Sequence, residues 1–402
     1  MRSIVLAPLL LSLLAPAASA EPVPAKPTPP SPGVIAAAAN ETMFSKDLLT
    51  QLTEQQQGNA FYSPLSIHTA LEMARLGAKG ATRDAMSKVM RMEGPDALQQ
   101  MAALQSQVQQ STRGKNSAFQ IDTANRLWTS QGLKLTNGYA MQLKAGFNAD
   151  AKEIDFADKS ASANAVNAWV SKQTNAMIPR LVDPSHIPDA GFILTNAIYF
   201  KALWKFPFEK SRTRPQPFTL EDGTKADVPM MHQSDQFGYV KLPNFAAVTL
   251  PYRGAASMIV VLPDEGKMKE TVAELDIPVI RAALALQEVR ITLPKVDIKT
   301  RFSVRSTLIA MGMGAAFDPN ADFTGITPTQ PGYISEVLHA AALKMDEEKT
   351  EAAAATGVIG TVSSRVPPKA IEFTVDRPFL VFILHEPTGA VLFAGKIADP
   401  RK

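Results

Sequence analysis

Apolar positions recur at helical spacing in the first half of the chain. Ser63 and Pro64 form a strong helix start, with serine as the N-cap and proline in the first turn. The apolar residues that follow them continue the helical pattern as far as Gly77. Similar patterns cover residues 81–92, 95–111, 136–145 and 160–177. The spacing therefore predicts a helix-rich N-terminal half.

From residue 191 onward the pattern changes to runs of β-branched and aromatic residues broken by Gly, Pro and Asp. These runs cover residues 191–200, 247–252, 257–262, 288–293 and 371–384. At the C-terminus, residues 378–384 and 391–397 predict two strands around a turn. Helices first and strands later are typical of an α+β protein, here with large antiparallel sheets.

The first 20 residues predict a secretory signal peptide. Arg2 precedes an apolar run over residues 4–14, and Ala18-Ser19-Ala20 provides a small-x-small cleavage site. The run is shorter than the roughly 20 residues that span a bilayer, so we expect export and no membrane span. Residues 21–33 hold six prolines in thirteen positions and predict an extended linker. We expect one domain over residues 34–402, in a periplasmic or extracellular protein.

Composition excludes several classes of site. The 402 residues include 41 basic and 38 acidic side chains, a net charge of +3 that argues against nucleic acid as a partner. There is no cysteine, so disulfides, thiolate nucleophiles and cysteine-ligated zinc are excluded. No two of the five histidines lie within five residues of each other. Neither a GxSxG nucleophile motif nor a phosphate-binding GxxxxGK[ST] loop is present. We expect no metal, no cofactor and no enzymatic activity.

One unusual segment, residues 345–368, has two interpretations. Glu347, Glu348 and Glu351, followed by four alanines and Gly357, fit an exposed helix with a long loop after it. Alternatively, every second residue from Thr350 to Gly360 is small or β-branched and uncharged. A strand has a period of two, so the segment could enter a sheet with this face inward.

Short motifs along most of residues 40–400 resemble those of the serpin family. They lie at residues 59–67, 169–178, 195–204, 250–252, 257–258, 311–312, 321–325, 347–357, 377–379 and 392–395. Because so many motifs occur in the family order, the chain is identified as a member of the serpins. The resemblance implies three β-sheets, about nine helices and an exposed reactive-centre loop.

The resemblance also implies a function. A serpin inhibits a serine protease, or alternatively a cysteine protease, as a monomeric suicide substrate. The protease is trapped as an acyl-enzyme, and the loop inserts into the main sheet. The alternative is a non-inhibitory serpin that acts as a binding protein. The small residues from Thr350 to Thr356 favour inhibition, because a strand with a small face can enter a packed sheet without clashes.

Family resemblance assigns further residues to the inserting sheet. Ser63, Ser66, Asn196 and His339 correspond to a hydrogen-bond network beneath the sheet, although helix capping alone would also explain the serines. Trp204 corresponds to the top of the sheet, where Lys295 and Glu347 resemble an ion pair. The hinge is the segment made of Glu347, Glu348, Lys349, Thr350, Glu351, Ala352, Ala353, Ala354, Ala355 and Thr356. Lys349 departs from the glycine that is usual in the family, which could slow insertion.

Two ways of counting place the cleaved bond differently. Counted from Glu347, the family distance places it between Ser363 and Ser364. Counted back from the motif at 377–379, it falls near Ser364 and Arg365. A small serine at Ser363 suits the shallow pocket of an elastase- or subtilisin-like protease, whereas Arg365 would suit a trypsin-like one.

Overall fold

The computed structural model describes residues 29–112, 119–147, 149–328, 332–347 and 370–401. Several predicted features lie outside these residues. They are the signal peptide, most of the linker, the hinge beyond Glu347, and the bond at Ser363, Ser364 or Arg365.

Nine α-helices are formed by the described residues, six of them in the N-terminal half. They are α1 Pro32–Gln55, α2 Pro64–Arg75, α3 Gly80–Val89, α4 Ala97–Ser111, α5 Asn137–Phe147, α6 Lys159–Gln173, α7 Met268–Glu274, α8 Ile277–Ala283 and α9 Arg305–Leu308. The predicted helices correspond to α2–α6. Ser63 caps α2 as expected, because its side chain accepts a hydrogen bond from Ser66 N at 3.2 Å.

Helix α1 corrects the predicted boundary of the linker. Pro32 and Gly33, expected to belong to it, lie in the first turn of α1. The physical reason is the N-cap Ser31, whose side chain accepts from Val34 N, followed by proline at a position where no amide donor is needed.

Fourteen strands follow or separate these helices in the described residues. They are β1 Ala60–Tyr62, β2 Phe119–Ser130, β3 Ala151–Ile154, β4 Phe192–Ala202, β5 Arg214–Thr219, β6 Lys225–Leu242, β7 Phe245–Pro251, β8 Ala256–Pro263, β9 Ala285–Pro294, β10 Val296–Ser303, β11 Ile334–Met345, β12 Ile371–Thr374, β13 Phe379–His385 and β14 Val391–Ile397. The predicted run 371–384 is divided into β12 and β13.

A five-stranded sheet runs in the order β10-β11-β4-β2-β3. Its centre differs from the expected antiparallel pattern, because β11 and β4 pair in parallel from Ile334 to Ala342. β2 with β3, and β12 with β9 in the second sheet, are also parallel pairs. The prediction of antiparallel pairing was wrong for these three pairs. No hairpin joins the two strands of any pair, and a long connection allows the second strand to run in either direction.

The second sheet has nine strands, in the order β1-β14-β13-β8-β7-β6-β9-β12, with β5 beside β6. The 18-residue strand β6 joins two parts of this sheet. Residues 225–230 of this strand pair with β5, and residues 238–242 pair with β7. The third sheet implied by the resemblance is therefore present in part, connected to its neighbour through β6.

The two faces of the five-stranded sheet pack against different elements. One face contributes Leu194, Ile198 and Val337 to the main apolar core, which also contains residues of α1 and α2. The other contributes Ile193, Ala197 and Leu338 to a smaller cluster with α6. The alternation follows from the two-residue period of a strand. The sheet is thus enclosed between α2 and α6.

Candidate functional site

A buried polar row crosses the middle of the five-stranded sheet. His339 on β11 is opposite Asn196 on β4, and Asn196 is opposite Asn125 on β2. All three side chains belong to the same face as the main core, directly beneath α2. His339 and Asn196 are completely buried. Polar groups in such a place require hydrogen-bond partners, because an unpaired one costs about 1–3 kcal/mol.

The start of α2 supplies those partners. Ser63 N donates to His339 Nε2 at 3.1 Å, so this nitrogen is unprotonated and the proton lies on Nδ1. His339 Nδ1 therefore donates to Asn196 Oδ1. Asn196 Nδ2 donates to Ser66 O at 3.0 Å, and also contacts Ser66 Oγ and Asn125 Oδ1. One network thus links the helix to β11, β4 and β2.

The network depends on a neutral histidine. Complete burial lowers the pKa of the His339 imidazole to about 3. In the unfolded chain a histidine binds its proton near pH 6.5. Unfolding therefore takes up a proton between these two values, and the contribution of His339 to stability is lost as the pH falls through this window. Burial also lowers the pKa of His68 and His385 to about 4, so these two histidines likewise make the folded protein less stable as the pH falls.

His339→Gln should make the protein less sensitive to acid. We expect the fall in unfolding free energy between pH 6 and pH 4 to be smaller by about 1.4 kcal/mol per pH unit, the contribution of one proton. Urea unfolding at several pH values measures this slope. An unchanged slope in His339→Gln would contradict the assigned role of the neutral imidazole.

A second group of residues surrounds the point where the chain leaves β11. Trp204 is 5% exposed and stacks on Tyr252, with 4.3 Å between ring centroids. Its Nε1 donates to Asp346 O at 2.8 Å. The indole therefore holds the backbone immediately after β11 and covers the end of the sheet.

Glu347 is the first residue of the hinge and the one hinge residue that the structure describes, and its carboxylate is firmly held. Lys295 Nζ lies 2.7 Å from Oε2, and Thr213 Oγ1 donates to Oε1 at 2.6 Å. Burial alone would raise the pKa of Glu347, but the Lys295 ammonium and the Thr213 hydroxyl outweigh it and keep the pKa below its usual value. The carboxylate is ionised at neutral pH and fixes the start of the hinge.

Removing the two members of this ion pair should have unequal effects. Lys295→Met leaves a carboxylate that is 5% exposed without its cation, whereas Glu347→Gln removes the charge and keeps an acceptor for Thr213. We expect Lys295→Met to lower the unfolding free energy by about 1 kcal/mol, a modest loss because the ammonium is 38% exposed. Urea unfolding of both variants measures the difference, and a larger loss in Glu347→Gln would contradict this arrangement.

The structure brings the sequence-predicted residues into two groups. Ser63, Ser66, Asn196 and His339 form the buried network; Trp204, Lys295 and Glu347 lie around the start of the hinge. Sequence reasoning missed the roles of four partners: Asn125, Thr213, Tyr252 and Asp346. Asn125 lies outside every motif that the sequence analysis used, and only the register of β2 against β4 places it beside Asn196.

Comparison with known proteins decides the family. The family model described as "Serpin (serine protease inhibitor)" matches residues 39–400. The chain belongs to the serpin family. It is 35% identical to a serpin-like protein of Thermococcus kodakarensis, over 89% of this chain and 84% of that protein. It is 33% identical to the leukocyte elastase inhibitor of Bos taurus, over 90% of this chain and 99% of that protein.

Solved serpin structures have the same fold. Native protease nexin-1 with heparin has a TM-score of 0.81 and 27% identity, over 91% of this chain and all of that chain. Manduca sexta serpin-12 has a TM-score of 0.80 and 25% identity, over 90% of this chain and 99% of that chain. Serpins are protease inhibitors at the level of the family. In the part of this serpin that the structure describes, no helix is long and apolar enough to cross a membrane, and no cluster of three or more His, Asp or Glu could hold a metal ion.

Proposed function

We propose that this serpin inhibits serine proteases of the elastase or subtilisin type as a suicide substrate. The observation that carries the proposal is the direct parallel pairing of β4 and β11, with the hinge leaving from the end of β11. The chain that follows β11 can reverse and enter between these strands. It would then run antiparallel to both of them, and one parallel pair would become two antiparallel pairs.

Insertion is favourable for two physical reasons. Antiparallel pairing is slightly more stable per residue than parallel pairing, and the new strand adds hydrogen bonds on both of its edges. The alternating small residues from Thr350 to Thr356 fit between the two packed faces of the sheet without large displacements. The uncleaved protein is therefore metastable, since its segment cannot insert fully while both of its ends are held.

The chemistry begins as ordinary proteolysis. The protease serine oxygen attacks the carbonyl carbon of Ser363, its proton passes to the nitrogen of Ser364, and an ester replaces the peptide bond. The peptide that begins at Ser364 contains β12, β13 and β14, so it stays packed in the second sheet. Hydrolysis of the ester would normally follow. Insertion of the freed segment moves the attached protease across the sheet before water completes this step, so the ester persists.

A panel of proteases tests inhibition and its specificity together. Elastase-, subtilisin-, trypsin- and papain-like enzymes would each be mixed with increasing amounts of the serpin, and residual activity measured. We expect the elastase- and subtilisin-like enzymes to lose activity near a one-to-one ratio. Loss of activity only in the trypsin- or papain-like enzyme would reject the proposed target class. No loss in any enzyme would favour the non-inhibitory binding protein.

The C-terminal peptide, separated from the complex by denaturation, identifies the bond. Mass spectrometry should find a C-terminal peptide that begins at Ser364, because the distance from Glu347 places Ser363 on the acyl side. A peptide that begins at Val366 would place Arg365 on the acyl side and indicate trypsin-like specificity instead.

We also propose that the protein acts outside the cytoplasm as a monomer. The charge, apolar run and small-residue site of residues 1–20 support export. N-terminal sequencing of the protein recovered from outside the cytoplasm should begin at Glu21. Retention of residues 1–20 would contradict export by cleavage, and light scattering tests the monomeric state.

A further inference from the structure

Helix α6 lies across the place where a strand would enter. Val166 and Val170 of α6 pack in one cluster with Ile193 of β4 and Leu338 of β11. A new strand between β4 and β11 would widen the sheet by about 4.8 Å and present its own side chains to this face. Those side chains need space that α6 now fills, so α6 must rise from the sheet during insertion.

The contacts of α6 with the two halves of the sheet differ in kind. Towards β11 the cluster contains only aliphatic side chains, Leu338 and Ala340. Towards β2 it contains an aromatic pair, because Trp169 of α6 meets Trp128 of β2 edge to face at 5.6 Å. Trp128 Nε1 also donates to Thr195 Oγ1 of β4 at 2.8 Å. The helix is therefore anchored more specifically to β2, which is itself bonded to β4, than to β11.

Arg126 strengthens this anchor. Its guanidinium lies 4.2 Å from the ring centroid of Trp169 and 5.1 Å from that of Trp128. Asp150, just before β3, accepts from Nε at 2.6 Å and from Nη2 at 2.8 Å. The arginine side chain is only 15% exposed, while that of Asp150 is 58% exposed, so the contact with the indoles is the better buried part of the anchor. A planar cation held by a two-pronged ion pair against two indoles is a strong arrangement, which a lysine cannot reproduce.

Only one described ion pair ties the segment after α6 to the other edge of the sheet. Arg301 of β10 lies 3.4 Å from Asp183, and its side chain is 44% exposed. Such an exposed contact is weak. When β11 and β10 separate from β4, this contact and the aliphatic ones can slide or break, while the Arg126 contacts hold α6 down over β2 and β4.

We propose that Arg126 is a positioning residue that sets the rate of strand insertion by fastening α6 to the β2–β4 half of the sheet. This inference rests on the proposed function, since it concerns the insertion step. Weakening the contacts of Arg126 lowers the energy barrier to the movement of α6 away from the sheet, so insertion becomes faster. A residue that served only the stability of the fold would change unfolding without this acceleration.

Uptake of a synthetic peptide measures insertion without any protease. The peptide would have the sequence of residues 348–360, EKTEAAAATGVIG, and native mass spectrometry would follow its incorporation into the intact protein over time. We expect Arg126→Met, which keeps side-chain length and removes the cation, to take up the peptide about tenfold faster than the parent. Arg126→Lys should lie between the two. Asp150→Asn, which leaves the arginine between the indoles, should show a smaller acceleration and covers the case in which Arg126→Met does not fold.

Arg91→Met is the matched control. Arg91 also forms an ion pair, with Asp47 at 2.7 Å, but this pair joins α1 to the turn after α3 and not α6 to β2. It should keep the parent rate even if its unfolding midpoint falls as far as that of Arg126→Met. Equal or slower uptake in both Arg126→Met and Asp150→Asn would overturn the role of Arg126, while uptake by the parent would still support insertion. No uptake of the peptide by the parent would overturn both the role of Arg126 and the proposed insertion mechanism.

Discussion

Cleavage of the loop within residues 357–365 should raise the thermal unfolding midpoint of the protein by about 10–15 °C. The freed segment can then enter between β4 and β11 and become the central strand of a six-stranded sheet. If about ten new ladder hydrogen bonds each contribute about 1 kcal/mol, the gain is about 10 kcal/mol. For a folded body of this size, that gain corresponds to the expected shift in midpoint.

The experiment compares intact and cleaved protein by differential scanning calorimetry. A protease site engineered into the exposed turn at residues 221–224, between β5 and β6, gives a protein cut once elsewhere. That cut frees no segment able to join the five-stranded sheet, so its midpoint should stay the same or fall. An unchanged or lower midpoint after cleavage of the loop itself would be incompatible with insertion.

Thr350→Arg should convert the inhibitor into a substrate. Thr350 belongs to the small, uncharged phase of the hinge, which is expected to face inward after insertion. A buried, unpaired guanidinium costs several kcal/mol, so insertion should slow by more than a hundredfold. Deacylation would then occur first. Titration against the target protease should show rapid cleavage of the variant with little loss of protease activity.

Ala353→Arg provides the matched control, because the same side chain enters the opposite phase of the same segment. This phase already carries the charged Glu351 and would face α6, which rises from the sheet during insertion, so the variant should inhibit far better than Thr350→Arg. If Thr350→Arg inhibits as well as the parent while Ala353→Arg does not, the two faces are assigned the wrong way round. Equal inhibition by both would mean that neither face is buried.

The sequence predicted those helices and strands whose apolar residues follow one regular spacing from end to end. Ser63 and Pro64 mark the start of α2, and the apolar run at 191–200 is almost the whole of β4. Strand β2 was missed because polar and charged residues interrupt its alternation. Asn125 belongs to the buried network on one face, and Arg126 to the contacts with α6 on the other. Because these polar residues are placed for their contacts on the two faces, β2 lacks the alternating pattern by which a strand is recognised.

Strand order was harder to predict than strand position. His339 and Asn196 are 143 residues apart in the chain, and no turn between them fixes their register. Their proximity depends on how β11 packs beside β4, which no local pattern encodes. The resemblance to serpins supplied this pair, whereas Asn125 emerged only from the contacts in the folded protein.

The central claim is that this serpin holds its target through a covalent bond while the loop is inserted. Intact-mass measurement under denaturing conditions tests it most directly, after the protein is mixed with an equimolar elastase-like protease. We expect one species with the combined mass of the protease and the chain up to Ser363, together with the free C-terminal peptide. Free protease of unchanged mass beside two fragments of the cleaved chain would show that no covalent complex persists and that the protein is only a substrate.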